Sequence, residues 1–149
     1  MAKNDHLSIS IRLQTNPKPE TILALDRVCF PSDDEPDVDG RLWWYASKKN
    51  HHRPVAYAAM RIIDSNTTGY LYRAGVIPAY RSRGLHKRLI RARLAYAKRI
   101  GLQAVVTYVS AYNHTSLNGL VGRGFRVYDP ENAWAGRDEV VYLKLELDS

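Results

Sequence analysis

The chain has 149 residues, 45% of them apolar, enough for one globular domain with a sizeable core and too few for two full ones. Cys29 is the only cysteine, which excludes a disulfide framework and a thiolate metal site; with no apolar run long enough for a signal peptide or a membrane span, a cytoplasmic protein without a membrane partner is expected. The net charge of +7 is unevenly placed: between Asp64 and Asp129 there is no acidic residue but eleven lysines and arginines, a concentration of charge that suits a polyanionic ligand.

Residues 7–13 alternate apolar and polar side chains, the pattern of a half-buried strand. Pro19 and Glu20 open a helix in which Ile22, Leu25, Asp26 and Cys29 or Phe30 recur at helical spacing until Pro31 stops it. Residues 32–40 form a loop with five carboxylates (Asp33, Asp34, Glu35, Asp37, Asp39), broken by Pro36 and Gly40. Residues 43–47 and 55–63 read as an antiparallel hairpin. In the connection between them, the adjacent His51 and His52 point apart, as in a solvated turn rather than a shared metal site. A turn at 66–69 leads into a strand over 70–77, with Gly75 marking a bulge.

The next segment, 84–100, is an amphipathic helix. Leu85, Leu89, Ala92, Tyr96 and Ile100 fall within roughly 80° of one another on a wheel, with Lys87, Arg91 and Lys98 opposite. Gly101 ends it, and the β-branched run 102–109 reads as a strand buried on both faces. A short helix from Thr115 to Val121 or Gly122 follows, then closing strands over 125–128 and 139–147. The order β-α-β-β-β-α-β-α-β-β predicts an α/β (α+β) three-layer domain around a mixed, mostly antiparallel sheet of six to seven strands.

Chemistry concentrates at residues 76–86. Pro78 disfavours helical backbone at Ile77, so the strand ends extended. Tyr80-Arg81-Ser82-Arg83-Gly84-Leu85-His86 then turns the chain into a helix N-terminus, whose first N–H groups lack intrahelical partners and carry the positive end of the helix dipole. Gly84 permits close backbone approach, and Arg81 and Arg83 add charge, which makes a cradle suited to a diphosphate. The sequence has neither the Gly-Lys-Ser/Thr of an NTP-binding loop nor the Gly-x-Gly-x-x-Gly of a dinucleotide fold.

This segment resembles the acetyl-CoA motif of the GNAT (GCN5-related N-acetyltransferase) superfamily, Arg/Gln-x-x-Gly-x-Gly/Ala after a strand ending in Val-x-Pro. Arg81, Gly84 and Val76-Ile77-Pro78 match it; His86 replaces the last small residue, and Ser82 stands where a glycine is common. Downstream, Asn113, Ser116, Gly124 and Phe125 keep the spacing of the superfamily's Asn-x-x-Ala/Ser and Gly-Phe, so the resemblance spans roughly residues 5–147.

The resemblance implies splayed central strands with pantetheine between them, and acetyl transfer from acetyl-CoA to a primary amine of a small molecule or protein, without a metal. It implies that Val76 bonds pantetheine through backbone groups, that Arg81, Ser82, Arg83, Gly84, Leu85 and His86 hold the pyrophosphate, and that Asn113, with Ser116 completing its motif, meets the pantetheine arm. One of Lys87, Arg88, Arg91 and Arg123 would meet the 3′-phosphate. Many members use a glutamate base on a central strand and a tyrosine acid in the helix after the asparagine. Here Tyr70, Tyr72 and Tyr108 stand where carboxylates would, and Leu120 occupies the tyrosine's place.

Three readings of the proton chemistry stay open. Water relays protons to rim carboxylates (Asp33, Asp34, Glu35, Asp64, Glu131 or Glu139); or Tyr108 or Tyr112 serves as the acid; or the protein is a non-catalytic acyl-CoA-binding module. The loop 33–39 suits a cationic acceptor unless it is simply a solvated, mobile loop, and Trp43, Trp44 and Trp134 are candidates for the floor of an acceptor cleft or for packing. Cys29 is remote in sequence from the cofactor segment, which favours direct transfer over a covalent intermediate. Nucleic-acid binding by the eight basic residues of 81–99 is a competing class. Only Tyr96 could add a stacking ring there, and it lies on the apolar stripe. Edge strands at the closing hairpin suggest a homodimer.

Overall fold

The computed structural model describes residues 8–147. Its elements are β1 (Ile9–Leu13), α1 (Pro19–Cys29), β2 (Leu42–Lys48), β3 (Ala56–Ile63), β4 (Thr68–Val76), a 3-10 turn (Pro78–Tyr80), α2 (Leu85–Arg99), β5 (Ala104–Ser110), α3 (His114–Gly122), β6 (Arg126–Val127) and β7 (Val140–Glu146). They form a seven-stranded sheet in the order β1-β2-β3-β4-β5-β7-β6. The β4–β5 pair is parallel, whereas β1–β2, β2–β3, β5–β7 and β6–β7 are antiparallel. The mixed sheet and the predicted element order are therefore both present. Leu7, in the predicted first strand, lies outside the described residues.

Local rules account for most boundaries. Pro19 sits in the first turn of α1, where its missing N–H has no role, and Glu20 complements the dipole. The Phe30 N–H closes the helix on the Asp26 carbonyl at 2.7 Å, one residue before Pro31. Gly101, at φ +82°, terminates α2 in the left-handed conformation. That termination corrects one expectation: Ile100 lies beyond the helix and is 42% exposed, not part of the buried stripe. The closing strand at 125–128 is also shorter than expected, with Arg126 and Val127 alone as β6 and Phe125 buried before it.

The chain packs as two compact units, the first running through Arg61 and including Tyr72–Ala95, the second comprising Ile62–Leu71 and the residues from Tyr96 onward. In the first unit, Ile22, Leu25, Trp43, Tyr45, Tyr57 and Ala59 form a core, with Cys29, Phe30, Val38, Tyr72 and Ile77 packed on it. Trp43 and Trp44 are 1% and 3% exposed, so of the two roles open to them they pack in the core and do not floor an open cleft. Gly75 has a packing reason: a Cβ there would lie 2.7 Å from the Tyr57 ring. In the second unit, Val105, Thr107, Leu120, Phe125 and Leu143 are buried.

Candidate functional site

The segment after β4 folds as a chain of local consequences. Ile77 is extended, at φ −62° and ψ 147°, as the following proline requires. After the 3-10 turn, Ser82 and Gly84 both adopt left-handed backbone, at φ +65° and +79°. Ser82 thus shows why a glycine is common at its position. The first helical hydrogen bond of α2 runs from the Arg88 N–H to the Gly84 carbonyl at 3.1 Å. The N–H groups of Leu85, His86 and Lys87 therefore precede the intrahelical ladder. A Cβ built on Gly84 would meet no atom within 4 Å, so the turn is open above its backbone.

The basic residues around this turn have different duties. Arg81 Nε donates to the Val76 carbonyl at 2.9 Å, bracing the end of β4 across the turn. Arg83 lies over the Tyr80 ring at 4.8 Å and reaches the Ala79 carbonyl at 3.3 Å. Arg88 donates to the Ile9 carbonyl of β1 at 2.7 Å, while Lys87 and Arg91 are exposed. Arg93 is 3% exposed, although the sequence placed it among the basic residues that could bind nucleic acid. Its guanidinium donates to the carbonyls of Leu89 (3.1 Å), Ala59 (3.0 Å) and Tyr72 (3.3 Å). Burial pulls its pKa down to about 9, which still leaves it charged at neutral pH. The signal was present in its spacing, four residues after Leu89 and beside the apolar stripe. His86 is held below the usual imidazole range, first by partial desolvation and then by the charges of Arg93 and Arg81.

Cys29, remote in sequence, is brought beside Arg81 in the fold. Burial pushes its thiol pKa up, against the opposing influence of Arg81. Next to it, Asp26 accepts hydrogen bonds from the Tyr57 hydroxyl and from Arg73 Nε and Nη2. Arg73 also reaches the Asp34 carbonyl at 3.1 Å. The acidic loop is consequently docked rather than loose. The Asp37 N–H donates to the Tyr72 hydroxyl at 2.9 Å, Trp43 Nε1 to the Val38 carbonyl at 2.9 Å, and Pro36 is buried. Asp33, Asp34, Glu35, Asp37 and Asp39 themselves are exposed.

In the second unit, β4 and β5 pair only through Thr68–Tyr70 and Ala104–Val106. Immediately beyond, the Thr107 hydroxyl donates to the Leu71 carbonyl at 3.1 Å, so a side chain takes over from the backbone ladder. Asn113 caps α3, its Oδ1 accepting from the Ser116 N–H at 3.1 Å. The Asn-x-x-Ser spacing is thus a helix cap, with the Asn113 side-chain amide donors not used by that bond. Tyr112 is 69% exposed on the turn between β5 and α3. Tyr108 is half-buried and stacks 6.1 Å from Tyr70, under the edge-on ring of Trp134 at 5.4 Å. The structure brings residues 76 and 81–86 together in one unit and Tyr108, Tyr112, Asn113 and Ser116 in the other.

The profile of the acetyltransferase (GNAT) family matches residues 10–125. The chain belongs to that family. No curated protein sequence matches it. Among solved structures, the chain is similar to the ribosomal-protein-S18-alanine N-acetyltransferase from Escherichia coli, at 13% identity and a TM-score of 0.78, over 95% of both chains. It is also similar to a GNAT family acetyltransferase from Elizabethkingia anophelis with acetyl-CoA bound, at 17% identity and a TM-score of 0.73, over 94% of this chain and 99% of that one. A Bacillus subtilis acetyltransferase in complex with CoA gives 18% identity and a TM-score of 0.72, over 93% and 99% of the two chains.

For a GNAT protein, the residues present suit a CoA diphosphate. The turn at 81–86 offers backbone donors, an open space over Gly84 and nearby cations, with no carboxylate in residues 65–128 to repel an anion. No group of His, Cys, Asp and Glu suited to a metal ion occurs among the described residues. No helix among them is long and apolar enough to cross a membrane.

Proposed function

We propose that the protein is an N-acetyltransferase that moves an acetyl group from acetyl-CoA directly to a primary amine of a small molecule or protein. The observation that carries this reading is the open turn at Ser82–Gly84, where two left-handed residues lead into the N-terminus of α2. In this reading the backbone of residues 81–86 holds the pyrophosphate, and the exposed Lys87 and Arg91 reach the 3′-phosphate. Val76 orients pantetheine through its backbone, its carbonyl steadied by Arg81.

The transfer forms the N–C bond as a neutral amine attacks the thioester carbonyl. The C–S bond then breaks, and the departing thiolate takes a proton. Tyr108 is the candidate donor within the second unit, and Tyr112 the candidate from the neighbouring turn; the proton lost by the amine passes to water, with Asp64, Glu131 and Glu139 as carboxylates of the same unit. Direct transfer is favoured over a covalent relay through Cys29. That thiol is the only one, and burial disfavours the thiolate a nucleophile needs.

Isothermal titration with acetyl-CoA and with CoA at moderate salt tests the cofactor assignment. Micromolar binding followed by product formation with an amine supports the enzyme. Binding without turnover across polyamines, aminoglycosides and basic peptides favours an acyl-CoA-binding module. No binding by the folded protein overturns the cradle.

A further inference from the structure

One face of the second unit carries a continuous row of rings that extends beyond Tyr108. Tyr70 on β4, Tyr108 on β5, Tyr142 on β7 and Tyr128 just beyond β6 stand side by side, with successive centroids 6.1, 6.2 and 6.2 Å apart. The register places them in line. Tyr108 is directly opposite Tyr142, the Tyr128 N–H donates to the Tyr142 carbonyl, and Tyr70 is opposite Val106, two residues before Tyr108 on the same face. Trp134, from the segment joining β6 to β7, lies across the row. Its ring is 5.0 Å from Tyr70, 5.4 Å from Tyr108 and 5.2 Å from Tyr142. Its Nε1 donates to the Tyr128 hydroxyl at 3.2 Å, and the next residue, Ala135, donates its N–H to the Tyr142 hydroxyl at 3.1 Å.

We propose that Trp134 is the specificity-determining residue for the acceptor, admitting amines on slim, unbranched arms and rejecting wide or branched ones. The proposal rests on the acetyltransferase reading with Tyr108 near the transfer. Trp134 occupies the space directly over Tyr108 and Tyr70, and two hydrogen bonds to the row hold the segment in place. In this proposal the acceptor approaches Tyr108 along this face, beside the indole that lies over it. All five rings are half-buried, so they present apolar walls rather than solvated surface. Such walls select by shape.

The test compares wild type with Trp134→Ala and Trp134→Phe. Each is offered acetyl-CoA and a mixed amine panel, with 1,4-diaminobutane and glycine-first peptides as slim members and tyramine and valine-first peptides as wide ones. Products are read by mass spectrometry, and acetyl-CoA binding and thermal midpoints are measured alongside. The wide-to-slim product ratio is expected to rise by about tenfold or more in Trp134→Ala and to stay near wild type in Trp134→Phe, which keeps a ring on the row. An unchanged ratio in folded Trp134→Ala that binds acetyl-CoA overturns the proposal. So does a wild type that binds acetyl-CoA but acetylates no member of the panel. Failure of wild type to bind acetyl-CoA overturns the proposed function instead. Should Trp134→Ala fail to fold, Trp134→Leu, which keeps apolar bulk without the indole, carries the same comparison.

Discussion

Arg73 and Asp26, 47 residues apart in sequence, meet through two parallel hydrogen bonds of 2.8 and 2.7 Å, joining β4 to α1. The Asp26 side chain is 4% exposed and that of Arg73 21%, so the pair is largely removed from water. Replacing Asp26 with alanine strands a mostly buried guanidinium and deprives the Tyr57 hydroxyl of its acceptor. The expected loss of stability is about 3 kcal/mol, the lower end of what removing one partner of a buried pair costs. Tyr57→Phe removes a single hydrogen bond and should cost about 1 kcal/mol. Urea unfolding of both variants checks the order; equal losses would show that the Arg73 contact contributes little.

The two left-handed residues of the cradle respond differently to substitution. Gly84→Val forces a β-branched residue to φ +79° and puts side-chain atoms in the open space above the turn. Acetyl-CoA affinity should become undetectable, with a stability loss of about 1–2 kcal/mol from the backbone alone. Ser82→Gly relieves similar strain but loosens the unfolded chain, so a gain of roughly 0.5 kcal/mol is expected. Calorimetric titration and thermal melts measure both; full affinity in a folded Gly84→Val protein contradicts the cradle.

Tyr108→Phe keeps the ring contacts with Tyr70, Trp134 and Tyr142 while deleting the hydroxyl. If that hydroxyl protonates the departing thiolate, kcat falls by about 100-fold with little change in KM for acetyl-CoA. Tyr112→Phe, on its exposed turn, separates the two candidates. Unaltered kcat in both variants would leave the proton to water.

The pH dependence of stability should carry a signature of His86. Its imidazole is held below the usual range by partial desolvation and by Arg93 and Arg81, so folding favours the neutral ring. The stability this provides is complete above the ordinary imidazole value and is lost as the pH falls through it toward the lowered folded value. His86→Gln should therefore lose less stability than wild type as the pH drops from about 8 to about 5. Thermal midpoints of the two proteins across that range give the comparison; parallel curves would show that His86 does not titrate with folding.

The order of the elements and the turn before α2 were legible in the sequence because each follows from rules acting within about four residues, such as a proline fixing its predecessor or a glycine in left-handed backbone, whereas the Asn113 cap of α3 was found only in the structure. The tertiary structure alone decided which polar residues are interior and which partners they meet. Arg93 has the composition of a solvated helix face, but packing turns it toward the carbonyls of Ala59 and Tyr72. Gly75 looks like a strand irregularity until the Tyr57 ring is found against it. Cys29 beside Arg81, Asp26 under Arg73, and Trp134 across four tyrosines from different parts of the sheet all depend on long-range register. Side-chain periodicity tells which face a residue occupies, not which distant strand will lie next to it, and the row of rings crossed by Trp134 is built from such neighbours.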